Sequence, residues 1–164
     1  ALNPQEWHFI GHIQRNKVAE IYQRVSWIHS LDSRRLAKAF ANYAQKAPAT
    51  QPKPRFLVQI NVSGEDSKGG LSPSEARQEI PQWMRDFPQL QICGLMTMAP
   101  LGDQSSSRPF FRQLRELRDE IRQLAPESHR EAFTHLSMGM SGDYQAAAAE
   151  GASWLRLGRV LNQK

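Results

Sequence analysis

Residues 136 to 159, LSMGMSGDYQAAAAEGASWLRLGR, gather a small-residue turn, a helix start, an alanine run and a second glycine turn. In SMGMSGD, residues 137 to 143, Ser141 offers a hydroxyl while Gly139 and Gly142 let backbone approach a bound group closely. A helix follows, and the unpaired N–H groups and dipole at a helix start favour negative charge. That combination suits a phosphate. It equally suits a helix capped by its own Ser141, and these residues alone leave both readings open.

Other residue types with chemical potential form no such constellation. His8, His12, His29, His129 and His135 are scattered, without an i, i+4 pair on a helix or an adjacent acidic partner, which argues against a metal site. His12 and His135 fall near strand ends, where they would line a pocket or serve the structure. Met96, Met98, Met138 and Met140 cluster at two strand ends and read as core filling. Trp7, Trp27, Trp83 and Trp154 read as packing. The single cysteine, Cys93, lies in the apolar run QICGLMTM, so it has no disulfide partner in the chain and reads as a buried, inert thiol.

Composition limits the function classes. The 164 residues are 40% hydrophobic and 23% charged, ordinary for a globular domain with one core. No run of eighteen apolar residues occurs, nor the basic-then-apolar layout of a signal peptide, so the expectation is a cytoplasmic protein with no membrane span. The formal net charge is +5, with 21 Lys and Arg against 16 Asp and Glu. Its distribution argues against a nucleic-acid partner. In FFRQLRELRDEIRQL the arginines 112, 115, 118 and 122 interleave with Glu116, Asp119 and Glu120 at helical spacing, predicting a solvated face with internal ion pairs.

The elements that must position these groups alternate along the chain. Strand-length apolar runs occur at 8 to 13, 26 to 31, 55 to 62, 91 to 98, 133 to 139 and 153 to 158. A helical pattern with its own punctuation separates most of them. Asp32 or Ser33 opens RRLAKAFANYAQKA. SPSE, residues 72 to 75, is a capping box with Pro73 at the first helical position. Ser141 and Asp143 open the alanine-rich helix and Gly151 closes it, while Pro81 predicts a kink or break in the third helical pattern. Such βα units build either an open doubly wound sheet or a closed (β/α)8 barrel. Past five of the six strands the chain turns polar or to Gly, as in QRNK, DSRR, SGEDSKGG, SGD and GR. Loops of that kind after nearly every strand fit a barrel, where they share one face, better than an open sheet with one switch point. A barrel has eight strands, so about two βα units are missing from these residues.

The phrases WHFIGHIQRNK, VQINVSGEDSKGG, GLMTMAP and LSMGMSGDYQAAAAEGASWLRLG, in this order, resemble the pyridoxal-phosphate homeostasis proteins, whose fold is similar to the amino-terminal barrel of alanine racemase. The resemblance covers nearly the whole chain. It implies one partial cofactor-binding domain over residues 1 to 164, an alanine racemase N-terminal-type barrel with about six of eight units. The two absent amino-terminal strands would carry the Schiff-base lysine and an FGENY-like phrase. It also tips SMGMSGD toward the phosphate of pyridoxal 5′-phosphate, with Ser141, Gly139 and Met140 at the cofactor. Barrel phosphate sites are commonly built by the loops after strands seven and eight, which places Gly158 and the N–H of Arg159 on the same group. Family members usually carry Thr or another small residue where Arg159 stands, which leaves the backbone contact and replaces a hydroxyl with a guanidinium.

Arg156, in the R-x-G pattern of the racemase barrel, is expected to face the cofactor's ring nitrogen. Arginine stays protonated, so that nitrogen would remain an unprotonated acceptor and the ring a weak electron sink. The expected function is therefore a carrier of pyridoxal phosphate within vitamin B6 homeostasis, without turnover, whose partners are the cofactor and the apo-enzymes that use it. The alternative is an amino-acid racemase-like enzyme. Such racemases need a second, all-β domain, and none is expected here because the chain stops after the last strand. A phosphate-handling barrel enzyme unrelated to this cofactor is a third reading. Lys68, in the glycine-flanked loop GEDSKGG, is the one rival for an aldehyde-attacking lysine; a solvated loop lysine is the plainer account of it.

Overall fold

The computed structural model describes residues 6–65, 69–100 and 103–162, so Lys68 lies outside the described residues. Six strands are present where the apolar runs predict them: β1 (His8–Phe9), β2 (Trp27–Leu31), β3 (Arg55–Gln59), β4 (Gln91–Met96), β5 (His135–Met140) and β6 (Trp154–Arg156). They form one sheet in chain order, each pair parallel. Between them lie a 3-10 turn at Arg15–Lys17 running into α1 (Val18–Arg24), then α2 (Arg34–Lys46), α3 (Pro73–Asp86), α4 (Gln104–Leu124), α5 (Glu127–Arg130) and α6 (Tyr144–Ala149). A second 3-10 turn, Arg159–Asn162, follows β6.

In a flat sheet β1 and β6 would stand five spacings of about 4.8 Å apart. Yet the rings of His8 and Trp154 are 4.6 Å apart between centroids, and those of Trp27 and Trp154 5.2 Å. The sheet therefore curls into an incomplete barrel, with β1 and β6 each paired on one side only. The larger core fills the space between the sheet's convex face and the helices, where Ile28, Phe56, Val58, Ile92 and Leu136 meet Phe40, Ile80, Trp83 and Phe111. A smaller apolar cluster of Trp27, Leu57, Cys93 and Met96, with Trp154 packed on it, lies on the concave face. Burial pushes the Cys93 thiol up to about 11, as an inert core cysteine requires.

Local signals account for most boundaries. Ser33 caps α2, its hydroxyl accepting from Leu36 N. Ser72 and Glu75 form the expected reciprocal box at α3, at 3.2 and 2.8 Å. Asp103 and Ser106 form a second box at α4. Gly151, at φ +84°, ends the alanine-rich segment in the left-handed conformation that suits glycine.

Five expectations change. The first strand shortens from 8 to 13 to two residues, because β1 has a ladder partner on one flank only. Pro81 does not divide α3, which runs unbroken to Asp86 with Pro81 buried in the core. Trp7 is 68% exposed rather than packed; its carbonyl accepts from Ser26 N and Trp27 N while its ring stays on the open flank. Met98 is likewise 39% exposed, whereas Met96 and Met138 are buried as expected. The arginines of α4 also pair mostly beyond their own helix, as described below.

Candidate functional site

On the concave face of three strands an aromatic ring is followed two residues later by a polar group: Trp27 and His29, His135 and Ser137, Trp154 and Arg156. Strand alternation sends both members of each pair to the same side. The rings make a floor, with Trp27 5.0 Å from His135 and 5.2 Å from Trp154 between centroids. His8 joins this floor, and the Arg55 guanidinium lies 5.1 Å from the Trp27 ring centroid.

The polar groups make the next layer. Arg156 Nη1 donates to Ser137 Oγ at 2.7 Å and Nη2 to the Thr97 carbonyl at 2.8 Å. Ser137 Oγ is also 2.7 Å from His29 Nδ1, and His29 Nε2 is 2.9 Å from His8 Nδ1. Glu6 stands at the far end, its carboxylate 4.0 Å from His8 Nε2 and accepting from Trp27 Nε1 at 3.0 Å. Burial pulls His29 down to about 3, with His8 and Arg156 adding to the effect. His8 is lowered by burial, against the pull of Glu6. Arg156 is lowered to about 10 by burial, opposed by the Asp143 carboxylate, and so stays charged at neutral pH.

Further toward the carboxyl ends of the strands, β5 and β6 bring the predicted cradle residues together. Met140 is the register partner of Arg156. The Gly158 N–H points at Ser141 Oγ, 3.4 Å away. Arg159 follows as the exposed first residue of the 3-10 turn. Other predicted roles shift. Asp143, not Ser141, precedes α6, and its carboxylate turns back to accept from Met140 N at 2.7 Å. The Met140 amide is thereby committed to Asp143. Because α6 is six residues long, its dipole is a weak source of anion affinity. Gly139, at φ +92°, serves close packing, since a Cβ there would lie 2.5 Å from that of Ala147 on α6. Gln104, at the start of α4, fastens the turn by donating to the Gly142 carbonyl and accepting from Ala146 N.

Behind the turn, Glu150 is 2% exposed and receives Arg108 Nε at 2.7 Å, with Arg112 Nη2 and Arg115 Nη1 at 3.4 Å. Arg118 bonds the Thr134 carbonyl as well as its neighbour Asp119, Arg122 bonds the Arg130 carbonyl at 2.8 Å, and Glu120 pairs with Arg77 of α3. Apart from Arg118 with Asp119, these long-range partners replace the ion pairs expected within α4. The histidines change too. His12 is not in the interior but on the surface, 3.6 Å from Asp32, and His8 faces Glu6, so two of the five do have acidic neighbours. The interior roles of His8, His29 and Ser137 escaped the sequence reading. The repeated ring-x-polar spacing is the signal that would have found them.

A cavity of about 470 Å³ opens beside this layer, lined by His8, His29, Trp154, Arg156 and Gly158 among others. No lysine among the described residues lines it. A parallel sheet curled around a polar inner layer, with its loops converging at the carboxyl ends of the strands, is a barrel-type α/β ligand-binding domain. The chain belongs to the family of alanine racemase N-terminal domains, whose model matches residues 2–162, and within it to the pyridoxal phosphate homeostasis proteins. The pyridoxal phosphate homeostasis protein of Aquifex aeolicus is 42% identical over 157 residues, covering 95% of this chain and 65% of that protein. The structure of PipY from Synechococcus elongatus without PLP matches with a TM-score of 0.86 at 37% identity, over 99% of this chain and 73% of PipY. The structure of PipY with PLP bound matches with a TM-score of 0.83 at 36% identity, over 99% and 72%. The chain thus spans about two thirds to three quarters of the length of these relatives. Among the described residues no helix is long and apolar enough to cross a membrane.

Proposed function

We propose that this chain is the greater part of a pyridoxal 5′-phosphate-binding protein that holds the cofactor and manages its supply to the enzymes that use it, without turnover of its own. The observation that carries the reading is the placement of the Arg156 guanidinium, fixed between Ser137 and Thr97, one layer below the Ser141 hydroxyl and the Gly158 N–H. Two ends of the cofactor require different partners. The phosphate takes hydrogen-bond donors, which Ser141, Gly158 N–H and Arg159 N–H supply at the mouth. The ring nitrogen takes a donor that keeps its proton, which Arg156 supplies from the interior.

When bound, pyridoxal phosphate supplies an aldehyde and a ring that can withdraw electrons. Arg156 limits the second property by denying the ring nitrogen a proton, which favours holding the cofactor over transforming an amino acid. The aldehyde has no partner among the described residues lining the cavity. The Schiff-base lysine is one that the family resemblance implies for a strand outside these residues, in further βα units that would pair with the open flanks of β1 and β6. By itself the described chain holds the cofactor noncovalently, by its phosphate and its ring nitrogen.

The test is a spectroscopic titration of the intact protein. Pyridoxal phosphate binds with a shifted absorption band, and Ser141→Ala weakens binding by about 1 to 3 kcal/mol through loss of a charge-assisted bond. Arg156→Glu moves the band itself, because the ring nitrogen can then be protonated. Absence of binding by the wild-type protein sinks the reading. Racemisation of an amino acid at an enzyme-like rate supports the racemase alternative instead.

A further inference from the structure

The buried layer beneath the cavity is a single-file chain, and its donors and acceptors can be assigned. Ser137 Oγ has two nitrogen neighbours, Arg156 Nη1 and His29 Nδ1, both at 2.7 Å. A guanidinium donates and does not accept, so between these two the Ser137 proton goes to His29 Nδ1. A neutral His29 then carries its hydrogen on Nε2 and donates it to His8 Nδ1 at 2.9 Å. A neutral His8 in turn carries its hydrogen on Nε2, the nitrogen that faces the Glu6 carboxylate. The opposite order would leave the hydroxyl proton of fully buried Ser137 facing a donor. The lowered affinity of both rings for protons agrees with two neutral imidazoles.

We propose that Ser137, His29 and His8 are positioning residues that lock Arg156 in one orientation and one hydrogen-bonding role toward the ring nitrogen of bound pyridoxal phosphate. The assignment of that nitrogen rests on the proposed function; the order of the chain does not. The chain reaches Arg156 from β1 and β2, on the far side of the curled sheet. The orientation of the guanidinium therefore depends on the curl itself and not only on its neighbour β5.

The experiment has one arm without cofactor and one with it. In the intact protein labelled with 15N-histidine, long-range 1H–15N NMR at neutral pH is expected to show His29 and His8 as neutral rings protonated on Nε2. A hydrogen on Nδ1 of either ring, or a charged His29, overturns the chain whether or not the protein binds cofactor. In the second arm Ser137→Ala and His29→Phe are expected to speed exchange of the Arg156 guanidinium protons. Both should shift the absorption band of bound pyridoxal phosphate and weaken its binding about five- to tenfold. His29→Asn, which keeps an acceptor near the Nδ1 position, restores the band. Unchanged guanidinium exchange and an unchanged band in folded Ser137→Ala overturn the positioning role, and this variant decides the matter if His29→Phe does not fold. A wild-type protein that takes up no pyridoxal phosphate refutes the proposed function, while the first arm still decides the order of the chain.

Discussion

Two networks in this molecule are built around arginine, and they are organised oppositely. Inside the curled sheet, Arg156, Ser137, His29 and His8 form a file in which each interior member is held by the one before and the one after. Outside it, Glu150 is a single buried carboxylate shared by Arg108, Arg112 and Arg115, whose side chains are 51%, 54% and 39% exposed. Removing a link from the file takes a hydrogen-bond partner from the group on each side of it. Removing one arginine from the clamp leaves two others and exposes the loss to solvent. The file is suited to fixing direction, and the clamp to fastening α4 against the β5–α6 turn whatever happens to one side chain.

That contrast can be broken by stability measurements on the intact protein, followed by urea denaturation. Ser137→Ala should be the most damaging, at about 2 to 3 kcal/mol, because the buried His29 and the half-buried Arg156 both lose a partner. A loss below about 1 kcal/mol would mean that the interior is wetter or more adaptable than a single file allows.

Glu150→Gln should lose less, about 1 to 2 kcal/mol, since the arginines it abandons can turn to water. It also has a pH signature. The Arg108 hydrogen bond is the largest influence holding the Glu150 carboxyl below its ordinary value. The stabilisation is therefore complete above the unfolded carboxyl value and fades as the pH falls through the lowered one. Glu150→Gln should flatten this part of the acid profile, and an unchanged profile would show that the clamp contributes nothing electrostatic. The smallest effect belongs to Arg115→Ala, about 0.5 kcal/mol or less. A loss as large as that of Glu150→Gln would show that the three arginines are not interchangeable.

The parts of the fold legible in the sequence are those written locally. Ser72 and Glu75, or Ser33 and the residues that follow it, declare helix starts over four positions, and six apolar runs declare six strands. The convergence of Ser141 with Gly158 was legible as well, because both follow strands whose carboxyl ends must share a face. What stayed hidden depends on curvature or on distance along the chain. His29 meets Ser137 across 108 residues because the sheet bends β2 toward β5, and no spacing within either strand says so. The arginines of α4 looked paired with acids on their own helix until tertiary packing offered a better-buried carboxylate at Glu150. Pro81 does not break α3 because a helix packed along its length tolerates a lost backbone bond that an isolated helix would not.

The order of the strands in the sheet is the order of the strands in the chain, with no strand skipped. Each new strand pairs with the one made just before it: the shortest step is 16 residues, from Met140 to Arg156, and the longest 41, from Gly94 to His135. A ribosome releasing this polypeptide amino end first presents every strand to a template that has already emerged. Among the six described strands none has to wait for a distant partner still to be synthesised. The inner polar file, like the ring floor beneath it, is exempt from this neighbour-by-neighbour growth. It joins β1 and β2 to β5 and β6, so its formation marks the moment at which a ribbon laid down in sequence becomes a curved wall.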